Sequence, residues 1–195
     1  WNGIPLNSVA NGLIDFSILP VNIGNELAVV HGGDGSVFGS GAIGGSIHFN
    51  TISNSKPKKQ LKLTSEIGSF GLSSNALSFQ HTEGSLSIKA SLSSLKDNNS
   101  FEFINTTLIE HPLMMNKYGR IESKHQQLGL EYRHDNYNQF FINYWAEDNN
   151  REVPQDMTIF VSDAKQYDIS KRLLFSSKHR FNHSSLQLKQ AYLQE

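Results

Sequence analysis

Leu86-Ser87-Ile88-Lys89-Ala90-Ser91-Leu92-Ser93 alternates apolar and polar residues without a break. In an extended strand, neighbouring side chains stand on opposite faces, whereas a helix brings them back every 3.6 residues. Working outward, the same period recurs in six more segments. Leu61, Leu63 and Ile67 alternate with Lys62, Thr64 and Glu66, and Leu77 and Phe79 with Ala76, Ser78 and Gln80. Leu128, Leu130 and Tyr132 alternate with Gly129, Glu131 and Arg133, and Phe140, Ile142 and Tyr144 with Gln139, Phe141 and Asn143. Leu173 and Phe175 alternate with Leu174, Ser176 and Lys178, and Leu186 and Leu188 with Gln187 and Lys189. The pattern predicts a mainly β chain of about seven strands, and none of these segments has a helical period.

The charges sharpen this reading. Lys62, Glu66, Lys89, Glu131, Arg133, Lys178, Arg180 and Lys189 all fall on the polar parity of their segments. At mid-depth on the lipid face of a membrane barrel a Lys or Arg costs about 2–4 kcal/mol, while the lumen tolerates charge. The connections add a second cue. From the third strand onward they run long (96–123), short (134–136), long (148–169) and short (182–184). Transmembrane barrels alternate short inner turns with longer external loops in this way. A small soluble barrel has no reason to lengthen alternate loops.

Composition is consistent with such a chain. The 195 residues carry 17 Lys+Arg against 18 Asp+Glu, a net charge of −1, with 37% hydrophobic and 18% charged residues and no cysteine. That balance provides no field for nucleic acid, and without cysteine there is no disulfide, thiolate zinc site or iron–sulfur cluster. No run approaches the ~18 apolar residues of a spanning helix. The opening on Trp1 and the unbroken alternation at Leu186–Glu195 lead us to expect a piece of a longer chain. Asn54-Ser55-Lys56-Pro57-Lys58-Lys59 reads as a linker, giving expected units at 1–55 and 56–195.

Residues 32–49 are rich in glycine. Gly39, Gly41 and Gly44 satisfy G-x-G-x-x-G, but Ser46-Ile47-His48-Phe49-Asn50-Thr51 alternates as a strand where a dinucleotide site needs a helix. Around position 60 the chain is rich in lysine, where that site needs an acid. No Gly-Lys-Ser/Thr closes a phosphate loop. Ser36, Ser40 and Ser46 form no nucleophile elbow and are better read as turn formers.

The run Gly35-Ser36-Val37-Phe38-Gly39-Ser40-Gly41-Ala42-Ile43-Gly44-Gly45-Ser46-Ile47 resembles the C-terminal end of the plug domain of TonB-dependent outer-membrane receptors. Asn2-Gly3-Ile4-Pro5-Leu6-Asn7-Ser8 and Asp15-Phe16-Ser17-Ile18-Leu19-Pro20-Val21 resemble the two phrases that precede it in such plugs. The resemblance covers about residues 1–52 and is nearest the cobalamin-receptor branch. It implies a partial transmembrane antiparallel β-barrel, preceded by the C-terminal part of a plug. Two departures stand out. Asn2-Gly3 replaces a frequent Asp-Gly, and His31-Gly32-Gly33 replaces an Arg-Gly-Pro phrase whose arginine locks plug to barrel in the family. Here the lock must use other groups.

The resemblance also implies non-catalytic uptake across the outer membrane of a scarce, bulky nutrient: cobalamin or another corrinoid, with a siderophore or haem as the alternative. Its partners would be outer-membrane lipid and a TonB-type inner-membrane coupling protein, with a surface lipoprotein left open. No cofactor or enzymatic activity is expected. The plug loop at Leu6–Leu13 nominates Asn7, Ser8, Ala10 and Asn11 as ligand contacts. A different class, a surface β-protein binding carbohydrate or protein through its long loops, stays in view.

Other constellations are weaker. The eight histidines include no metal-binding spacing; His179 and His183 are four apart, but on a strand and a turn. Glu147, Asp148, Glu152, Asp156 and Asp163 could offer oxygen ligands to calcium, yet read more simply as a solvated loop. Tyr132, Phe140, Tyr144, Trp145, Phe175 and Tyr192 read as interfacial or lipid-facing packing.

Overall fold

The computed structural model describes residues 1–8, 12–20, 25–33, 35, 44–51, 58–154, 156–158 and 163–195. Two short strands come first, β1 (Asn25–His31) and β2 (Gly45–Thr51), paired antiparallel with Val29 opposite Ile47. At the tight end of this pair, Gly45 has φ +141, and a Cβ there would lie 2.5 Å from the Val30 carbonyl oxygen. Only glycine fits that approach. The boundary expected at residue 55 lies outside the described residues, as do residues 34 and 36–43 of the glycine-rich run.

The alternating segments form β3 (Lys58–Ile67), β4 (Ser73–Glu83) and β5 (Leu86–Asp97). A small hairpin follows, β6 (Glu102–Ile104) with β7 (Leu113–Met115), and then β8 (Ile121–Arg133), β9 (Asn138–Glu152), β10 (Lys165–Arg180) and β11 (Ser185–Gln194). The seven long strands make one antiparallel sheet in the order β11-β10-β9-β8-β5-β4-β3. The sheet is open: β3 and β11 are edges, and the described residues form no closed barrel.

The connections sort by rim. Turns 84–85, 134–137 and 181–184 lie at one end of the sheet, and 68–72, 98–120 and 153–164 at the other. Two expected loops are shorter than the sequence suggested. The segment 96–123 gives residues to β5 and β8 and holds the β6–β7 hairpin, while 148–169 gives residues to β9 and β10. Period two was hidden there because both faces are polar, as in Glu122-Ser123-Lys124-His125-Gln126-Gln127. Backbone pairing continues regardless of the side chains' polarity.

The faces are inverted relative to a protein whose apolar parity forms its core. Leu86, Leu92, Leu128, Ile142, Leu173 and Phe175 are all more than 40% exposed. On the opposite parity, Ser87, Ser91, Glu131, Asn143 and Ser176 are at most 7% exposed. Between 86 and 92, 128 and 132, 140 and 146, and 173 and 177, the outward parity carries no charge at all. Outward charges flank this band: Lys124, Asp148 and Lys171 on the long-loop side of the Leu128–Tyr144–Leu173 row, and Lys59 and Glu83, on β3 and β4, on its short-turn side. The small apolar core lies between the N-terminal segment and the polar face: Trp1, Ile4, Leu6, Leu19 and Phe49 meet Trp145 and Leu174.

Candidate functional site

Cross-strand register builds the site. His125 on β8 stands opposite Glu147 on β9, which stands opposite Ser170 on β10. One row nearer the short-turn rim, Gln127, Trp145 and Arg172 are aligned in the same way. All six belong to the parity that faces the N-terminal segment. Arg172 is only 3% exposed and donates to Glu147 Oε1 at 2.9 Å, to the Ser170 hydroxyl at 2.5 Å and to the Leu6 carbonyl at 3.2 Å. Ser170 also donates to Glu147 Oε1 at 2.5 Å, and Trp145 Nε1 reaches Glu147 Oε2 at 3.3 Å. His125 Nδ1 lies 3.8 Å from Glu147 Oε2, and its Nε2 is 2.7 Å from the Ser123 hydroxyl. A buried guanidinium is tolerable only when paired and hydrogen-bonded, and Glu147 supplies both.

Further ties hold the N-terminal segment to the sheet. Trp1 packs on Trp145 with ring centroids 5.6 Å apart. Lys189 Nζ donates to the Asn2 carbonyl at 2.9 Å. Asp15 pairs with Arg151 at 2.5 Å, near the long-loop end of β9. Burial works against the charge of Asp15, but bonds from the Ser17 hydroxyl and amide, together with Arg151, outweigh it and hold the carboxyl below the ordinary Asp range. Asp15–Arg151 and Arg172 with the Leu6 carbonyl thus tie the N-terminal segment to β9 and β10.

The Asn2-Gly3 departure has a local reason. Asn2 (φ 50) and Gly3 (φ 85) form a turn closed by the Ile4 amide on the Trp1 carbonyl at 2.8 Å. The Asn2 side chain accepts from the Thr51 amide at 2.8 Å and donates to the Thr51 hydroxyl at 3.0 Å. An aspartate could accept but could not donate.

Of the four residues nominated as ligand contacts, Ala10 and Asn11 lie outside the described residues. Asn7 and Ser8 frame the base of the loop. The Ser8 amide bonds the Leu13 carbonyl at 2.8 Å, the Gly12 amide bonds the Ser8 carbonyl at 2.8 Å, and Asn7 Nδ2 reaches the Gly12 carbonyl at 2.9 Å. The Ser8 hydroxyl also meets Glu195 at 3.2 Å. The base of the loop thus follows directly on Leu6, whose carbonyl Arg172 holds.

Two sequence readings need correction. Trp145 is not interfacial: it is fully buried on the inward parity, against Trp1. Glu147 is not a solvated loop residue, because β9 runs on to Glu152 and turns Glu147 inward onto Arg172. Parity alone, extended a few residues beyond Tyr144 and before Leu173, would have placed Trp145, Glu147 and Arg172 on the wet face.

A cavity of about 590 Å³ lies between the β1–β2 hairpin and the short-turn half of the sheet. Its walls include Asn50, Ser87, Lys89, Asn143, Ser176 and Lys189. Among the described residues, no group of three or more His, Asp or Glu is placed to hold a metal ion. No family model matches the chain, and no curated protein matches it.

Proposed function

We propose that this chain is part of an outer-membrane receptor and transporter of the TonB-dependent kind, taking up a scarce, bulky nutrient. The observation that carries the reading is the inverted sheet: an uncharged apolar band across the outer face of β5, β8, β9 and β10, and a polar inner face covered by the N-terminal segment. In water a contiguous apolar surface of this extent is a liability, whereas in lipid it is the requirement. The division into a short-turn rim and a long-loop rim supports the same reading, since the long loops would face outward to meet ligand.

In this account the N-terminal segment occludes the lumen, and Ser8, at the base of the Leu6–Leu13 loop, meets Glu195 just beyond the long-loop end of β11. The buried Arg172–Glu147 pair and Asp15–Arg151 hold that segment against the wall until an energised inner-membrane partner pulls on it. Nothing in the mechanism is catalytic. The phrases at 2–8, 15–21 and 35–47 favour cobalamin or another corrinoid, ahead of a siderophore or haem. The direct test uses the full-length protein in outer membranes. It should require detergent for release and bind cyanocobalamin at the cell surface without an energy source. Recovery in the soluble fraction without detergent would defeat the receptor reading, and binding of a ferric siderophore instead would change only the ligand.

A further inference from the structure

The two long loops are tied to each other at two levels. At their stems the Glu152 amide bonds the Arg120 carbonyl at 2.9 Å, and the Arg120 amide bonds Glu152 Oε2 at 3.2 Å. These bonds seat the end of segment 98–120 beside the start of segment 153–164. Segment 98–120 is also clasped on itself, with Asn116 Nδ2 donating to the Asn99 carbonyl and Asn99 Nδ2 to the Gly119 carbonyl, each at 2.9 Å. Farther out, Asn105, just after β6, is only 1% exposed. Its Nδ2 donates to the Met157 carbonyl at 2.9 Å, 52 residues further along the chain, and to Met114 Sδ at 3.5 Å. Its Oδ1 accepts from the Thr107 amide at 2.9 Å and from the Thr107 hydroxyl at 2.6 Å. Two donors and two acceptor positions are all that an amide side chain has, and here every one is filled by protein. Asp156 Oδ1 in turn accepts from the Thr158 amide at 2.7 Å, shaping the turn that presents the Met157 carbonyl.

We propose that the two long loops form one cap that opens and closes as a single body over ligand held at the long-loop rim, with Asn105 as its positioning residue. The inference rests on the transporter reading and adds to it a conformational device. Ties at both stem and crown make the opening of one loop the opening of the other. A cap assembled before ligand arrives spares binding the cost of ordering two separate loops, and ligand leaves only when the whole cap lifts.

The first arm of the test needs no ligand. Amide hydrogen exchange is measured residue by residue on the full-length protein in lipid nanodiscs. Asn105→Asp keeps the acceptor that Thr107 uses but loses the donor to Met157. Exchange at the Thr158 amide, in the other loop, should rise about fivefold, as for the loss of one net hydrogen bond. Asp156→Ala should raise exchange at the Asn105 amide by about the same factor, since coupling is reciprocal. Met157→Ala, which keeps the carbonyl, should leave the Asn105 amide within about twofold, and Leu128 in the sheet should be unchanged in every variant. Effects confined to the substituted loop mean two independent loops and overturn the proposal. The second arm follows surface binding of cyanocobalamin without an energy source. Asn105→Asp should speed dissociation about fivefold and leave association within about twofold. Unchanged dissociation overturns the cap's hold on ligand. If the wild type binds no cyanocobalamin, the ligand named under the transporter reading fails, and the exchange arm still decides whether the cap is one body.

Discussion

Ile142→Arg asks the outer face what solvent it meets. Ile142 is 44% exposed and lies between Phe140 and Tyr144 along β9, opposite Leu130 on β8 and Phe175 on β10. The apolar outward parity of β9 runs from Phe140 to Ala146, about 20 Å along the strand at roughly 3.4 Å per residue. Ile142 is two residues, about 7 Å, from its nearer end. An arginine there would stretch toward the headgroups and recover part of the penalty. The cost should therefore fall in the lower part of the 2–4 kcal/mol range, at about 2–3 kcal/mol. At a factor of ten per 1.4 kcal/mol, the folded-to-unfolded ratio drops by roughly 30- to 140-fold. The assay is urea unfolding of the full-length protein in lipid vesicles, with Asp148→Arg as control. Asp148 is on the same outward parity nearer the long-loop rim, where the cost should be about 0–1 kcal/mol. If Ile142→Arg also stays within about 0.5 kcal/mol, as an ordinary surface substitution would, the face meets water and the reasoning fails.

Three other outcomes follow from the same geometry. Arg172→Ala strands Glu147 and frees the Leu6 carbonyl, so it should cost about 3–5 kcal/mol in the same unfolding assay, whereas a decorative pair would cost less than 1 kcal/mol. Asp15→Asn should cost only about 0.2–1 kcal/mol at pH 7. Because the folded carboxyl titrates below the ordinary Asp value of 3.8, this contribution is complete above that value and disappears as pH falls through the lower, folded one. Urea midpoints of variant and wild type should therefore differ by a constant amount from pH 5 to 8 and converge only below pH 3.8. The isolated 195-residue chain, with β3 and β11 as bare edges, should show no cooperative thermal transition by calorimetry, since unpaired edges invite aggregation. A sharp reversible transition would mean that the open sheet is self-sufficient.

The sheet was legible because its strands carry their environment in their parity. Leu86 to Ser93 states both faces in eight residues, and the charges at Lys89, Glu131 and Lys189 say which face is wet. The pattern failed where both faces are polar. Ile121–Gln127 and Asp148–Glu152 pair through the backbone beyond the apolar band, so the ladder continues where the side chains no longer signal it. Strand β1 and the β6–β7 hairpin were likewise silent, being short and held by their partners rather than by a period of their own. The candidate site was less legible. The loop at Leu6–Leu13 came from its phrase, and Asn7 and Ser8 do frame its base. Arg172, Glu147 and His125 are brought together only by register between strands far apart in the chain, and no local window contains them. Glu147 looked like a loop acid because its neighbours Asp148 and Asn149 are polar, although it points away from Asp148.

The most direct test of the central claim is a nitroxide scan of residues 139–146 in the full-length protein embedded in lipid vesicles. Accessibility to oxygen, which concentrates in the bilayer, should peak at 140, 142 and 144 and fall at 141, 143 and 145. A water-soluble nickel complex should find none of the even positions. Even positions open to the nickel complex, or oxygen accessibility without a period of two, would contradict an apolar face turned to lipid.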